Sequence, residues 1–545
     1  MHRLRLYAVY VVTAILLLAI FGYSAHFTTS AYFIFPQKIA GVLLYSTLVS
    51  LVCVLTITVA SLHCKRVGDS QHLGNRRYWL ALVVAGCIVP VFIAFVVLDR
   101  FMISDDEFNY VFIADTLAQW RLYWPAAPVE GVFSSFWLIE QDGKLISMFP
   151  PGWPALLAIG GKLGIPYWLL NPLLGPISIL LVYLLGKKTV SPQTGLAAAG
   201  VYATSLFFLF NSGSYFAHIS CVTFLLAFAL CVVQAEEGRQ RLWLILAGLC
   251  VAIAFTIRYY PVFLIFLAYA LHTALRRHAR ATLPWIFLGA APIAVLFLTY
   301  NYVAFGDAFT TGYAMQQKMP IALTLVSLRG LRETLKRVIE LATWTSPFVL
   351  WLYAAAFIYL LRLKSLRFYD YFFPVVVLGF VFFLLEGGPR YGPRYLFDAY
   401  PFMVLTTVAG VEAFITYHTG FWTRFARHVL WVTCLYSACV FPFLALHLNR
   451  IVTERQDLYR LVQERRLNHA VVIVKSTTSP LSPMSIKALI RNPPTLQAPV
   501  LYAHNTTVDQ LQGLFSDRSI WSYERDPKAV SGRLIRLAAP RQQRR

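Results

Sequence analysis

The apolar residues of this chain come in repeated runs of about 20 residues, and a run of that length matches the hydrocarbon thickness of a bilayer when it is helical. A chain with many such runs has no way to bury them in one water-soluble core. In lipid, every backbone N–H and C=O must be satisfied within the segment, so the runs must fold as helices. Across 545 residues, 58% are hydrophobic and only 13% are charged. Hydropathy alone marks about 13 spans: 6–22, 39–61, 78–98, 168–186, 194–210, 216–234, 242–257, 262–275, 283–303, 343–361, 371–385, 402–417 and 429–447.

The formal net charge of +22 raises a nucleic-acid reading, and its distribution excludes one. Lys and Arg fall in short clusters between spans: Arg3/Arg5, Lys65/Arg66/Arg76/Arg77, Lys187/Lys188, Arg239/Arg241, Arg276/Arg277/Arg280, Arg362/Lys364/Arg367 and Arg424/Arg427. These clusters all share one side if the N-terminus is cytoplasmic, as the positive-inside rule expects. The eight cysteines sit in or beside apolar runs with no CxxC pair and no zinc spacing, so they read as small core hydrophobes. The basic, apolar start resembles a signal peptide, but with so many later spans it reads as an uncleaved first helix.

The other face then carries the long stretches: 99–167, 258–261, 304–342, 386–401 and the tail after Leu448. Two of them hold unusual chemistry. The first begins Ser104-Asp105-Asp106-Glu107-Phe108-Asn109-Tyr110, directly after a span. Three consecutive acids at a membrane surface repel one another, an arrangement suited to a general base or a cation site. Residues 108–121 then have helical apolar spacing, which predicts an interfacial helix with Trp120, Tyr123 and Trp124 at headgroup level. Phe149-Pro150-Pro151-Gly152-Trp153-Pro154 forces a stiff turn before another short helix.

The second is Glu386-Gly387-Gly388-Pro389-Arg390-Tyr391-Gly392-Pro393-Arg394-Tyr395, where glycine and proline frame two arginines like an anion clamp. Arg258, followed by Tyr259, breaks the charge pattern at the outer face and calls for an anionic partner. His218 lies near the outer start of another span. A carboxylate that deprotonates a hydroxyl, facing arginines that hold a departing phosphate, suits a lipid-linked phosphosugar substrate.

From about residue 467 the pattern changes. Residues 470–474, 498–503 and 520–523 read as strands and 508–515 as a helix, which predicts a small α/β domain on the outer face. The expected organisation is 1–77 (two helices), 78–447 (a catalytic core with the outer loop 99–167) and 448–545 (the C-terminal extracytoplasmic domain). The fold class is an all-α polytopic membrane protein with that α/β appendage.

On the Asp106-Glu107 pair with Tyr110, the 149–154 turn, Arg258 and Gly392-Pro393-Arg394-Tyr395, the chain resembles the membrane-embedded GT-C glycosyltransferases, close to the protein O-mannosyltransferase and aminoarabinose transferase branch. The resemblance covers roughly residues 78–447. It implies Asp106 as the catalytic base or acceptor-orienting group, with Asp105 as the alternative, and Glu107 orienting the acceptor or a metal. It implies Arg258 and Arg394 on the polyprenyl phosphate, with His218 and Arg390 as lesser candidates and Tyr110, Tyr259 and Tyr395 beside the substrate. The implied reaction is an inverting transfer from a polyprenyl-phosphate sugar, in the inner membrane of a cell envelope. The acceptor, whether lipid, polysaccharide or protein, is left open. The family varies in its use of a divalent cation such as Mg or Mn, and no complete ligand set is legible. Two spans precede the family's usual first one.

A transporter or flippase of a lipid-linked glycan is the alternative. It predicts paired repeats and mid-membrane ionisable groups, neither of which is visible. A non-catalytic assembly or sensor protein is a third reading, opposed by the intact acidic cluster.

Overall fold

The computed structural model describes residues 2–27, 39–63, 73, 75–237, 240–315, 328–382, 391–475, 486–526, 529 and 531–540. Among these, seven helices are long and apolar enough to cross a membrane: Arg76–Val97, Tyr167–Thr189, His218–Glu236, Gln240–Ile257, Ala279–Phe305, Arg394–Tyr417 and Phe421–Glu464. The count rises to nine if each of two bent pairs is one span. Pro192–Thr204 and Leu206–Ser212 meet at 66°, and Leu328–Trp344 and Val349–Arg362 at 104°. Two further expected runs, Ala8–Ile20 and Leu48–Leu62, are apolar stretches within the longer helices His2–Phe27 (26 residues) and Ile39–His63 (25 residues). Two others appear as shorter apolar segments, Tyr259–Leu275 and Phe368–Phe382, which at 1.5 Å per residue reach about 22–26 Å, short of a bilayer core of about 30 Å.

Helices in lipid gain little from apolar burial against one another, so close approach through small residues carries the packing. Helices Gln240–Ile257 and Ala279–Phe305 meet through Gly248 and Gly289. A Cβ on Gly248 would strike the carbonyl of Ile286, and one on Gly289 the carbonyl of Ile245.

The ends of the bundle differ in chemistry. At one end Thr189 and Tyr369 share a hydrogen bond (2.6 Å), His272 packs on Tyr371 and Arg424 Nε donates to the Ser61 carbonyl (2.9 Å). Among the described residues, Lys187 and Lys188, Arg276 and Arg277, and Arg362, Lys364 and Arg367 flank the first two of these contacts. Described parts of the long intervening segments meet one another instead, as Gly312 meets Met148 and Arg394 meets Asp106.

One of them starts with the helix Asp105–Ala118, then a three-stranded antiparallel sheet that sequence reading missed: β1 (Trp124–Pro125), β2 (Leu138–Gln141) and β3 (Lys144–Ser147), in the order β1-β3-β2. Strands of two to four residues are too short to declare a period. The Pro-Pro-Gly turn leads into the helix Gly152–Lys162.

Helix Phe421–Glu464 is continuous for 44 residues. That is about 66 Å, twice the bilayer core, so it runs unbroken past His447 into the C-terminal region. There, β4 (Ala470–Val474), β5 (Val500–Ala503), β6 (Ser519–Glu524) and β7 (Arg533–Ala538) form a mixed sheet in the order β5-β4-β6-β7. β4 pairs in parallel with both β5 and β6, and β6 pairs antiparallel with β7. The three expected strands and the helix Val508–Leu514 are present. β7 was not anticipated, because Arg533 and Arg536 interrupt its apolar residues. The unbroken Ala-Val-Val-Ile-Val of β4 is buried on both faces, as a central parallel strand requires. Val472 and Val474 pack with Leu458 and Val462 of the long helix, while Val471 and Ile473 pack with Val132 and Phe133 of the outer segment.

Candidate functional site

The three acids open the helix Asp105–Ala118, and the local structure gives each a different position. Ser104 is its N-cap. The Ser104 hydroxyl accepts from the Glu107 N–H (3.2 Å), and Glu107 Oε2 accepts from the Ser104 N–H (3.0 Å), a capping box. Glu107 Oε1 also accepts from the Tyr215 N–H (3.1 Å). Glu107 is fully buried, and both its oxygens are engaged in tying this helix to the turn before His218. It therefore builds the site's frame. Asp105 is half-buried. Asp106 is 8% exposed, and its Oδ2 accepts from Nη1 of Arg394. A carboxylate in the first turn is also favoured by the helix dipole.

Arg394 reaches Asp106 because Gly392 turns the chain. Gly392 has φ +93°, where a side chain is strained, and its α-carbon is wedged between Phe207 and Trp344. The Arg394 guanidinium lies over the ring of Phe216 at 5.3 Å and that of Tyr395 at 5.6 Å. Arg258 is the extended residue (φ −148°) between helices Gln240–Ile257 and Tyr259–Leu275. Its Nε lies 3.1 Å from Oδ2 of the fully buried Asp398, off the line of a hydrogen bond, so the contact is one of charge. Asp398 sits one turn after Arg394 in the short helix Arg394–Ala399. One element thus supplies an arginine to Asp106 and a counter-charge to Arg258.

Aromatic rings wall the space beside these charges. Tyr110, one turn after Asp106, meets Phe149 edge-on (5.1 Å). Phe149 meets Tyr313 (6.1 Å), and Tyr313 meets Tyr259 (5.9 Å). Burial first, and then the Asp106 carboxylate, push the Tyr110 hydroxyl well above its usual range. Tyr313 is raised by burial and then Asp106 as well. Both phenols therefore stay protonated and can donate. Tyr395 carries the guanidinium of Arg337 over its ring at 4.9 Å. His218 is 1% exposed, its ring held edge-on by Phe216 and Phe397, and neither ring nitrogen has a hydrogen-bond partner among the described residues. It lies within electrostatic reach of Arg258 and Arg394.

Tyr259 also faces an apolar groove of about 590 Å³ between helices Gln240–Ile257, Tyr259–Leu275 and Ala279–Phe305. Phe255, Phe263 and Phe297 line it, with Asn301 and Thr311 among its few polar groups.

The structure brings Asp106, Tyr110, His218, Arg258, Tyr259, Arg394 and Tyr395 into one neighbourhood. Arg390, with Glu386–Pro389, lies outside the described residues. Sequence reasoning missed Asp398, Tyr313 and Arg337. An acid one helical turn after Arg394 was a legible hint for Asp398. Tyr313 had no signal, because its place depends on Gly312 packing against the backbone of Met148. As to a divalent cation, no three His, Cys, Asp or Glu side chains gather among the described residues. Asp106 and Asp398 each face an arginine, so the described residues do not assemble the ligand set that Mg or Mn would need.

Residues 150–302 match the model of the dolichyl-phosphate-mannose-protein mannosyltransferase family. The matched stretch holds His218, Arg258 and Tyr259 but neither Asp106 nor Arg394. ArnT from Cupriavidus metallidurans bound to undecaprenyl phosphate aligns with a TM-score of 0.56 at 12% identity, over 86% of this chain and 99% of that one. The same protein in the apo state aligns at 0.52 and 13%, over 82% and 93%. The Archaeoglobus fulgidus oligosaccharyltransferase in the apo form aligns at 0.46 and 11%, over 73% of this chain, which spans 62% of that longer one. No curated protein matches the chain by sequence. At these identities the likeness to ArnT is one of fold. The resemblance to the GT-C group is borne out by the matched segment and the shared fold.

Proposed function

We propose that the chain transfers a sugar from a polyprenyl-phosphate donor to an acceptor on the extracytoplasmic face, with inversion at the anomeric carbon. The observation that carries this reading is the contact of Asp106 with Arg394, with Arg258 held beside them by Asp398. A base and two cations in one water-poor cluster are what such a displacement uses. Asp106 takes the proton of the acceptor hydroxyl, whose oxygen bonds to the anomeric carbon as the bond from that carbon to the phosphate oxygen breaks. The polyprenyl phosphate leaves with one more negative charge, and Arg394 and Arg258 stabilise it. Tyr110 and Tyr313 stay protonated and offer donors to the sugar or the phosphate.

The pairing of Asp106 with Arg394 also links the two halves of the reaction. A phosphate arriving at Arg394 competes with Asp106 for the guanidinium, and the carboxylate released is then the base. His218, buried with two open ring nitrogens near both arginines, is a further phosphate or sugar contact. The polyprenyl chain lies in the phenylalanine-lined groove that ends at Tyr259. The undecaprenyl phosphate named for the ArnT structure supports a donor of this class.

The finer topology belongs to the same reading. It has 13 crossings, a cytoplasmic N-terminus with the basic loops, and a core of 78–447 in the inner membrane. The acidic helix and the domain 448–545 are then outside.

The test is sugar transfer in membranes from a radiolabelled pool of polyprenyl-phosphate sugars, comparing the wild type with Asp106→Asn at equal expression. The wild type is expected to label an acceptor and the variant to lose that label. Equal labelling would remove Asp106 as the base, and no labelling from any donor would favour the transport reading.

A further inference from the structure

A second cavity lies away from the charge cluster, between the outer segment and the C-terminal domain. It measures about 490 Å³, within the range of small-molecule sites. Phe108 and Phe112 of the acidic helix and Trp124 of β1 form one wall, and Pro493, Pro494 and Gln497 of the C-terminal domain the other. The walls are fixed in place. Asn492 Nδ2 donates across the junction to the Phe133 carbonyl (3.0 Å) and to the Tyr502 carbonyl (2.8 Å), and the His504 N–H donates to the Val132 carbonyl (3.1 Å). Val132 and Phe133 share a core with β4 and β5.

Three features define what would fill it. First, no Asp, Glu, Lys, Arg or His lines it, in a chain of net charge +22. Arg121 stacks on Trp124 (4.6 Å) and Arg491 lies over Phe108 (6.0 Å) without lining the cleft, so an ionic ligand would find no counter-charge among the lining side chains. Second, the indole N–H of Trp124 is buried without a hydrogen-bond partner, although buried indoles ordinarily find one. The ligand must offer an acceptor. Third, Thr495 and Gln497 put a hydroxyl and a carboxamide among the lining side chains. A ligand that both donates and accepts can match them. Hydroxyl groups on a ring whose C–H faces lie against aromatic side chains meet all three demands.

We propose that this cleft binds an uncharged saccharide unit of the acceptor, an inference that rests on the reading of the Asp106 cluster as the transfer centre. Asp106 and Tyr110 project from one side of their helix, and Phe108 and Phe112, two residues out of step, from the other. A helix with its side chains is about 10 Å across, so a unit held here is not the one that reacts. The cleft grips a remote part of an acceptor several units long, and that binding aligns the reacting hydroxyl on the far side of the helix.

The test is saturation-transfer NMR on the full-length protein in detergent. The probe is a defined mixture of neutral mono- to trisaccharides of glucose, galactose, mannose and N-acetylglucosamine, with a proline-alanine peptide as the competing class. The variants are Trp124→Phe, which removes the indole N–H, and Thr495→Trp, which fills the cleft from its half-buried rim. Wild type and Asp106→Asn are expected to transfer saturation equally to ring protons of at least one saccharide. Trp124→Phe should lower that signal at least threefold, and Thr495→Trp should abolish it while thermal unfolding is unchanged. Because Asp106→Asn keeps the signal, failure of the transfer reading and failure of this one are told apart. No signal from any saccharide, a signal that survives Thr495→Trp, or a signal from the peptide alone that Thr495→Trp removes would each overturn the assignment.

Discussion

Single residues that are neighbours in the chain differ in what they touch, and the three consecutive acids are divided by the partners of their oxygens. Glu107 is spent on the helix cap and the Tyr215 amide. Glu107→Gln keeps one acceptor for the capping box but sets its amide NH2 against the other backbone N–H, and should therefore cost stability, about 1–3 kcal/mol for the buried donor left unpaired, more than it alters the chemistry. Thermal unfolding together with transfer at saturating donor measures the two effects. A stable but inactive Glu107→Gln would contradict the assignment. Arg394→Lys keeps the charge but loses the planar fork, and should lower turnover about 100-fold or more, as loss of one transition-state donor does.

Asp398→Asn leaves Arg258 buried against a neutral amide. Breaking such a pair from one side costs about 3–5 kcal/mol. The double change Asp398→Asn with Arg258→Gln should recover stability without recovering transfer, and a double variant less stable than either single one would refute the pairing. The acidic cluster, Arg258 and Arg394 were legible in the sequence, because charge is rare in this chain and these charges sit at span ends, and the family resemblance put Asp106 first with Asp105 as the alternative. It gave Glu107 an acceptor- or metal-orienting role and not the cap, because the capping geometry depends on a turn more than 100 residues away.

At the scale of elements, the acidic helix is held by more than its cap. Asp115 accepts from the Tyr167 hydroxyl (3.0 Å), and burial raises its pKa above the usual carboxylate value. A carboxyl raised in the folded state holds its proton more tightly there. It therefore favours the folded form at low pH, and that contribution is lost as pH rises through the folded value. Asp115→Asn keeps an acceptor for Tyr167 without the buried charge, and should leave the unfolding temperature at pH 7 unchanged or higher. A fall of several degrees would contradict this.

The long apolar spans and the β4 strand were plain in the sequence, because burial on all sides leaves an uninterrupted apolar run. The small sheet β1-β3-β2 and strand β7 were not. Their residues are set by contacts with other segments, and their own patterns are too short or too charged to declare a period. The amphipathic helix Leu328–Trp344 fell outside the expected spans except at its end, because its leucines alternate with arginine and lysine.

For the whole molecule, the fold explains why chemistry drawn from distant parts of the sequence meets at one end of the bundle. Helix ends and the segments between them supply every charged group of the cluster, and the spans hold them in register. Contacts such as Gly248 against Ile286 set that register. Gly248→Leu should separate two spans and weaken transfer together with stability, whereas the same change at the exposed Gly513, which has open space and an ordinary φ, should do neither; an active, stable Gly248→Leu would contradict the packing account. The 44-residue helix carries the C-terminal sheet directly from the bundle, so the second cleft is built on the same rigid frame as the first.

The most direct test of the central claim, that the Asp106, Arg394 and Arg258 cluster handles a lipid phosphate, is a cryo-electron microscopy structure of the protein in a lipid nanodisc with undecaprenyl phosphate. The phosphate is expected within hydrogen-bonding distance of Arg394 and Arg258, the prenyl chain in the groove beside Tyr259, and Asp106 released from Arg394. A phosphate bound elsewhere, with the contact between Asp106 and Arg394 intact, would contradict it.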